Sequence, residues 1–254
     1  MKKILLLGGS AQQIVAIETS KKMGLYTVLC DYLSDNPGQY HAHKFYQVST
    51  TDKHEILRVA KKESIDYIIA YASDPAAPTA AFVAEELGLP TNPYKAVEIL
   101  CNKDRFRLFL EENGFNTPKS KGYNETREAM NEIDLFSFPI IVKPVDSSGS
   151  KGATVLKNKM GVEKAIDFAF SYSRAHRVII EEYIIKKHPY LIGGDVFVSG
   201  GKIIQWGLMN CHRDSSVNPL VPVGKSYPPL LEEEDLIAAQ RTLQRLVDLL
   251  TIQF

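Results

Sequence analysis

Two hydrophobic rhythms alternate along the first part of the chain. A continuous apolar run at residues 4–7 ends in Gly8-Gly9-Ser10, after which Ile14, Ala16, Ile17 and Met23 recur at helical spacing up to Gly24. The run reads as a buried strand and the spaced positions as the helix that covers it, with glycine as its stop. The alternation repeats. Residues 26–30 close with Asp31, residues 45–48 give a third strand, and Asp52 with Glu55 three residues on marks a helix start. That helix turns Ile56, Leu57, Val59 and Ala60 to one side, and residues 67–70 form a fourth strand. Strands separated by helices pair in parallel through crossovers, so residues 1–93 are expected to form a doubly wound α/β domain.

The rhythm then changes. Pro90 and Pro93 mark a junction, followed by two short helical stretches at 95–100 and 105–112, with Gly114 as the stop. Beyond Pro118 the order is strand, helix, strand, loop, strand, helix, strand. The helices are expected at 125–133 and 161–172, the second with Val162, Ala165, Ile166 and Ala169 on one face. The strand at 178–180 runs into Glu181-Glu182-Tyr183-Ile184, and a hairpin of 195–198 and 202–208 turns at Gly200-Gly201. A polar, proline-rich loop spans 212–229, and a long helix spans about 233–250. An antiparallel α+β unit is the expected form of this part. The divisions read as 1–93, a helical linker 94–118, a first α+β portion 119–184 and a second 185–254.

Composition narrows the partners. The 254 residues are 44% apolar, enough for real cores, and 30 basic against 30 acidic side chains leave no net charge. Neither a nucleic-acid surface nor a polybasic membrane patch is indicated, so any anion site is expected to be local. Met1-Lys2-Lys3 imitates a signal peptide, but the apolar run that follows ends at Gly8, too soon for one, and no stretch approaches membrane-spanning length. Cys30, Cys101 and Cys211 make no Cys-x-x-Cys pair, which favours a reducing cytoplasm and argues against structural zinc. Exposed helix faces in the first domain are compatible with a homodimer.

The chemistry concentrates at residues 138–156. The apolar run 140–142 ends in Lys143, and a loop of Ser147, Ser148, Gly149, Ser150, Lys151 and Gly152 leads into another strand at 153–156. Small side chains let backbone N–H groups approach an anion and lysines supply charge, so a phosphate chain suits the loop, although the same composition also serves an ordinary hairpin. Gly8 after a strand and Asp31 after the next invite a dinucleotide reading. The fingerprint fails, because Ser10 and Gln13 stand where glycines are required. Asp74 lies at the carboxyl end of the fourth strand, open to a substrate contact or to a helix cap.

With Lys103, Lys143, the serine–glycine loop and Glu181-Glu182-Tyr183-Ile184 in that order, the chain resembles the ATP-grasp superfamily of ATP-dependent ligases. Its nearest character is that of the carbamoyl-phosphate-synthase-like members. The resemblance implies a pre-grasp domain, a linker helix pair opening at Asn102-Lys103-Asp104-Arg105, a first grasp subdomain and an incomplete second one. It implies ATP as cofactor, with Lys103 and Lys143 on the phosphates and Ser147, Ser148, Gly149, Ser150 and Gly152 closing over them. It makes Glu181, Glu182, Tyr183 and Ile184 the hinge that reads adenine, with Val142, Ile180 and Leu208 sandwiching the ring. It sets Asp195, in Gly193-Gly194-Asp195, on the ribose, with Asp where the family has Glu and a longer connection before it. The implied reaction phosphorylates a carboxylate or bicarbonate for attack by an amine or ammonia. Arg213, beside His212, is the candidate for the acceptor carboxylate, or else a solvated loop arginine.

The family's magnesium carboxylates lie on a later Glu-x-Asn-x-Arg strand that this sequence does not contain, so no metal ligand is assigned. The acidic run at 232–235 is explained by a helix N-terminus. The apolar last residues, 249–254, read as a truncation, which leaves an inactive ligase fragment or a non-catalytic nucleotide-binding module as the alternative to an active enzyme.

Overall fold

In the computed structural model, which describes residues 1–214, 216 and 218–254, the chain divides into two compact units, Met1–Cys101 and Asn102–Phe254. The helix Tyr94–Cys101 belongs to the first unit and the helix Lys103–Glu112 to the second.

The first unit is built on four strands, β1 (Lys3–Leu7), β2 (Tyr26–Asp31), β3 (Lys44–Gln47) and β4 (Tyr67–Ile69). They lie in the order β3-β2-β1-β4, all parallel. Helix α1 (Ile14–Lys22) covers one face, where Ile17 packs with Leu6 and Leu29. Helices α2 (Lys53–Glu63) and α3 (Ala77–Glu86) lie on the other, over a core of Leu5, Leu7, Val28, Ile56, Ala60 and Val83. The sheet is doubly wound, as the sequence rhythm requires, because alternate residues of one apolar run feed opposite helix layers. Asp52 caps α2, accepting from the Glu55 N–H at 3.1 Å. Asp74 does not cap α3; Ala76 holds that position. Helix α4 (Tyr94–Cys101) ends the unit.

The turn after β1 is occupied by the chain itself. The Gln13 carboxamide donates to the Leu7 and Tyr71 carbonyls and accepts from the Ser10 N–H. Gly8 has φ +106°, and a Cβ there would meet Gln13 Nε2 at 2.2 Å. Asp31 accepts the Gly9 N–H at 2.7 Å. The donors and the space that a dinucleotide pyrophosphate needs at such a turn are thus taken up internally, which agrees with the failed fingerprint.

The second unit holds α5 (Lys103–Glu112) and an antiparallel sheet of β5 (Ser120–Tyr123), β6 (Ile140–Pro144), β7 (Thr154–Leu156) and β8 (Val178–Glu182), in the order β5-β8-β6-β7. Helices α6 (Thr126–Asn131) and α7 (Val162–Phe170) cover one face. Strand period decides what each residue of β6 and β8 can touch. Ile140, Val142, Val178 and Ile180 point into the core with Ala165, Ile166 and Ala169, while Lys143 and Glu181 point to the opposite face. Val142 and Ile180, expected to sandwich an adenine ring, are therefore core residues with no exposed surface. Ile141 and Ile179 alternate onto the Lys143 face instead.

A second antiparallel sheet, β11-β10-β9, joins β9 (Leu191–Ser199), β10 (Lys202–Arg213) and β11 (Pro222–Ser226). The hairpin turns at Gly200-Gly201 as expected, but both strands run further than the hydrophobic pattern indicates. The expected loop over 212–229 contains β11, an exposed edge strand that opens on a proline and so reads as loop. Ser215 and Val217 of that stretch lie outside the described residues. Helix α8 (Glu233–Leu249) completes the unit.

Candidate functional site

Glu181 is the centre of the site. Only 3% exposed near the end of β8, it accepts from Lys143 Nζ through Oε2 at 2.9 Å, from Arg107 Nε through Oε1 at 3.1 Å and from Arg107 Nη2 through Oε2 at 3.3 Å. Lys143 comes from β6, Arg107 from α5 and Glu181 from β8, so three elements converge on one carboxylate. The Lys143 side chain is 17% exposed. Burial pushes its ammonium below the ordinary lysine range, Glu181 opposes that shift, and Arg107 adds to it. Two cations around one carboxylate leave an excess positive charge in a desolvated place, which suits an incoming polyanion.

The loop after β6 begins beside this cluster. Lys103, the first residue of α5, donates from Nζ to the Ser147 carbonyl at 2.6 Å and to the Val145 carbonyl at 3.4 Å, and its N–H reaches the Val145 carbonyl at 3.0 Å. Ser147 Oγ donates to the Lys151 carbonyl at 2.9 Å, while Ser148 and Gly149 are exposed at the tip. Ser150 takes a left-handed conformation, φ +59°, and its Oγ donates to the Leu220 carbonyl at 2.9 Å. Gly152 has φ +73°, and a Cβ there would meet Pro144 Cγ at 2.7 Å and Tyr172 Cβ at 2.9 Å. Only glycine closes the loop against β6 in this way.

Beyond Glu181 the strand edge is partly committed. Glu182 accepts the Ser137 N–H at 2.8 Å, and the Tyr183 N–H donates to the Pro139 carbonyl at 2.8 Å, so that amide is already used. Ile184 is exposed. Leu208 of β10, the third expected sandwich residue, is buried at 8% exposure. Asp195 is exposed in β9 opposite Gly207, in the other sheet. Arg213 ends β10, where Nη1 donates to the Leu220 carbonyl and Nε is buried without a hydrogen-bond partner. The structure thus brings Lys143 and Glu181 together, sets Lys103 on the adjoining loop backbone, and keeps Asp195 and Arg213 in the second sheet.

Sequence reasoning missed Arg107. Its signal was present, since Arg107 lies four residues after Lys103 and therefore one turn along the same face of α5.

Residues 109–189 match the family model described as D-ala D-ala ligase C-terminus. A formate-dependent phosphoribosylglycinamide formyltransferase from Vibrio vulnificus is 32% identical over 191 residues, 72% of this chain and 47% of that protein. The chain belongs to the ATP-grasp superfamily. The fold agrees across nearly the whole ATP-grasp chain. An L-amino acid ligase from Bacillus licheniformis matches with a TM-score of 0.76 at 20% identity, covering 99% of this chain and 61% of that one. An N5-carboxyaminoimidazole synthetase from Staphylococcus aureus, solved with ADP, matches with a TM-score of 0.68 at 17% identity, covering 96% and 62%. The chain spans about half the length of the curated relatives it matches. Within the ATP-grasp frame the matched stretch contains β6, the serine–glycine loop and β8.

Proposed function

We propose that this chain carries the nucleotide site of an ATP-dependent ligase that activates a carboxylate or bicarbonate as its acyl phosphate for attack by an amine or ammonia. One observation carries the reading: a lysine stripped of water and held by a buried carboxylate beside a loop of small residues. In this reading Lys143 and Lys103 hold ATP phosphates. Ser147, Ser148, Gly149, Ser150 and Gly152 close over them with backbone donors, and 181–184 receives the adenine edge with the partly exposed Ile141 beneath it. Asp195 is assigned to the ribose and Arg213 to the acceptor carboxylate, which a guanidinium pairs with in two hydrogen bonds.

A carboxylate oxygen attacks the γ-phosphorus, the bond to the bridging oxygen breaks and ADP leaves. The amine then attacks the acyl carbon and phosphate departs. The cations offset charge on the transferring phosphoryl group, and the desolvated setting strengthens each contact. Mg²⁺, when bound, would supply charge neutralisation on the phosphates in such chemistry. Among the described residues no group of three or more His, Cys, Asp or Glu is arranged to hold a metal ion, so no side chain here is assigned to it. The Vibrio relative's name pairs formate with a formyl transfer, which supports a small carboxylate as acceptor.

Release of ADP from ATP, measured across a panel of small acids with formate and bicarbonate first, tests the proposal. Acid-dependent ADP formation is expected. ATP binding with no turnover for any acid and amine pair would favour a non-catalytic nucleotide-binding module instead.

A further inference from the structure

Lys143 gives one of its three ammonium donors to Glu181 Oε2 at 2.9 Å, so an incoming phosphate competes with that carboxylate for the same charge. If Lys143 turns to an incoming anion, a carboxylate 3% exposed loses one of its two cations. A buried carboxylate left alone is strongly unfavourable. Arg107 is placed to prevent that. Its Nε and Nη2 reach both Glu181 oxygens, the forked geometry that a carboxylate binds best. Nor is Arg107 free to follow Lys143, since α5 is tied to the same strand at a second point. Arg177, immediately before β8, donates from Nε to Asp104 Oδ2 at 2.9 Å and from Nη2 to Asp104 Oδ1 at 3.1 Å.

We infer that Arg107 is a positioning residue that retains Glu181 while Lys143 exchanges that carboxylate for a phosphate. The inference rests on the nucleotide reading above and adds a residue that it does not use. Arg107 touches no substrate; it makes the exchange possible by keeping Glu181 paired throughout. The cluster then changes partners without ever leaving a buried charge uncompensated.

The test combines ATP titration by calorimetry with a double-mutant cycle. Arg107→Met weakens ATP binding by about 10–100-fold, and in a Glu181→Gln background the same change costs less than about threefold, because no buried carboxylate remains to be held. A penalty of equal size in both backgrounds overturns the inference, since a merely structural role for Arg107 would not depend on the Glu181 charge. Arg107→Lys, which keeps the charge and loses the fork, gives an intermediate loss and serves if the methionine variant does not fold.

A second measurement needs no nucleotide. Acetic anhydride labelling of Lys143, followed by mass spectrometry, slows by about threefold or more in Arg107→Met, because Glu181 then holds the lysine alone and keeps it protonated. An unchanged labelling rate contradicts the inference. Failure of the wild-type chain to bind ATP alongside slowed labelling counts against the nucleotide reading and leaves the pairing established.

Discussion

Two buried carboxylates, each served by two cations, stand in the two units of this chain, and their lysines respond in opposite ways. Glu63, 5% exposed at the end of α2, accepts from Lys44 Nζ at 2.7 Å and from the Tyr46 hydroxyl at 2.5 Å, with Lys3 Nζ at 3.6 Å. The hydrogen bonds from Lys44 and Tyr46 pull its carboxyl down to about 2, and Lys44, whose side chain is 43% exposed, is pushed up in return. Glu181 has a similar inventory, but its lysine is 17% exposed and burial pushes that lysine down. Where the cations keep their water, the cluster fastens β3 to α2 and asks for nothing more. Where they lose it, the charged lysine is held at a cost that an anionic ligand relieves. The location of water, more than the list of residues, separates a structural ion pair from a candidate site.

The comparison breaks most visibly at the carboxylates. Glu181→Ala leaves two poorly solvated cations facing each other, and loss of a buried partner costs about 3–5 kcal/mol, or roughly 10 °C in Tm for a chain of this size. Glu63→Ala leaves lysines that already reach water, so its Tm falls by less, about 5 °C. Thermal melts followed by circular dichroism check both, and equal losses would erase the distinction.

Acid sharpens the same contrast. The folded pKa of Glu63, about 2, lies below the unfolded value of about 4.3. Its contribution to stability is complete above the unfolded value and disappears as pH falls through the folded one. Melts of the wild type between about pH 4.5 and 2 should show a steeper fall in Tm than those of Glu63→Gln.

The smallest effects differ in sign. Lys44→Met lowers Tm by about 2 °C, because the charged lysine is favoured in the fold. Lys143→Met raises it by about 1–2 °C, because burial disfavours the charged form and the substitution removes that burden at neutral pH. A lower Tm in Lys143→Met would mean that the lysine is there for stability.

Much of this was legible from residue order. The parallel sheet follows from apolar runs alternating with helical spacing, and the loop from Ser147 to Gly152 announces itself by its small residues between two strands. What escaped was set by pairing in space. The family resemblance puts Val142 against the adenine ring, but in a strand that face is fixed by the partner layer, and α7 claims Val142 for the core while Lys143 goes to the other side. Strand β11 was hidden because Pro222 and Gly224 carry loop composition, and only its pairing with β10 makes it a strand. Arg107 lay in plain view on the Lys103 face of α5, yet its partner is 74 residues away, and no local pattern connects them.

Calorimetric titration of the folded chain with ATP and with NAD, beside Lys143→Ala and Lys44→Ala, decides whether the desolvated Lys143 cluster binds a nucleotide. ATP is expected to bind and NAD is not, Lys143→Ala weakens ATP by at least about 100-fold, and Lys44→Ala leaves it within about twofold. ATP affinity unchanged in folded Lys143→Ala, or no ATP binding by the folded wild type, would contradict that expectation.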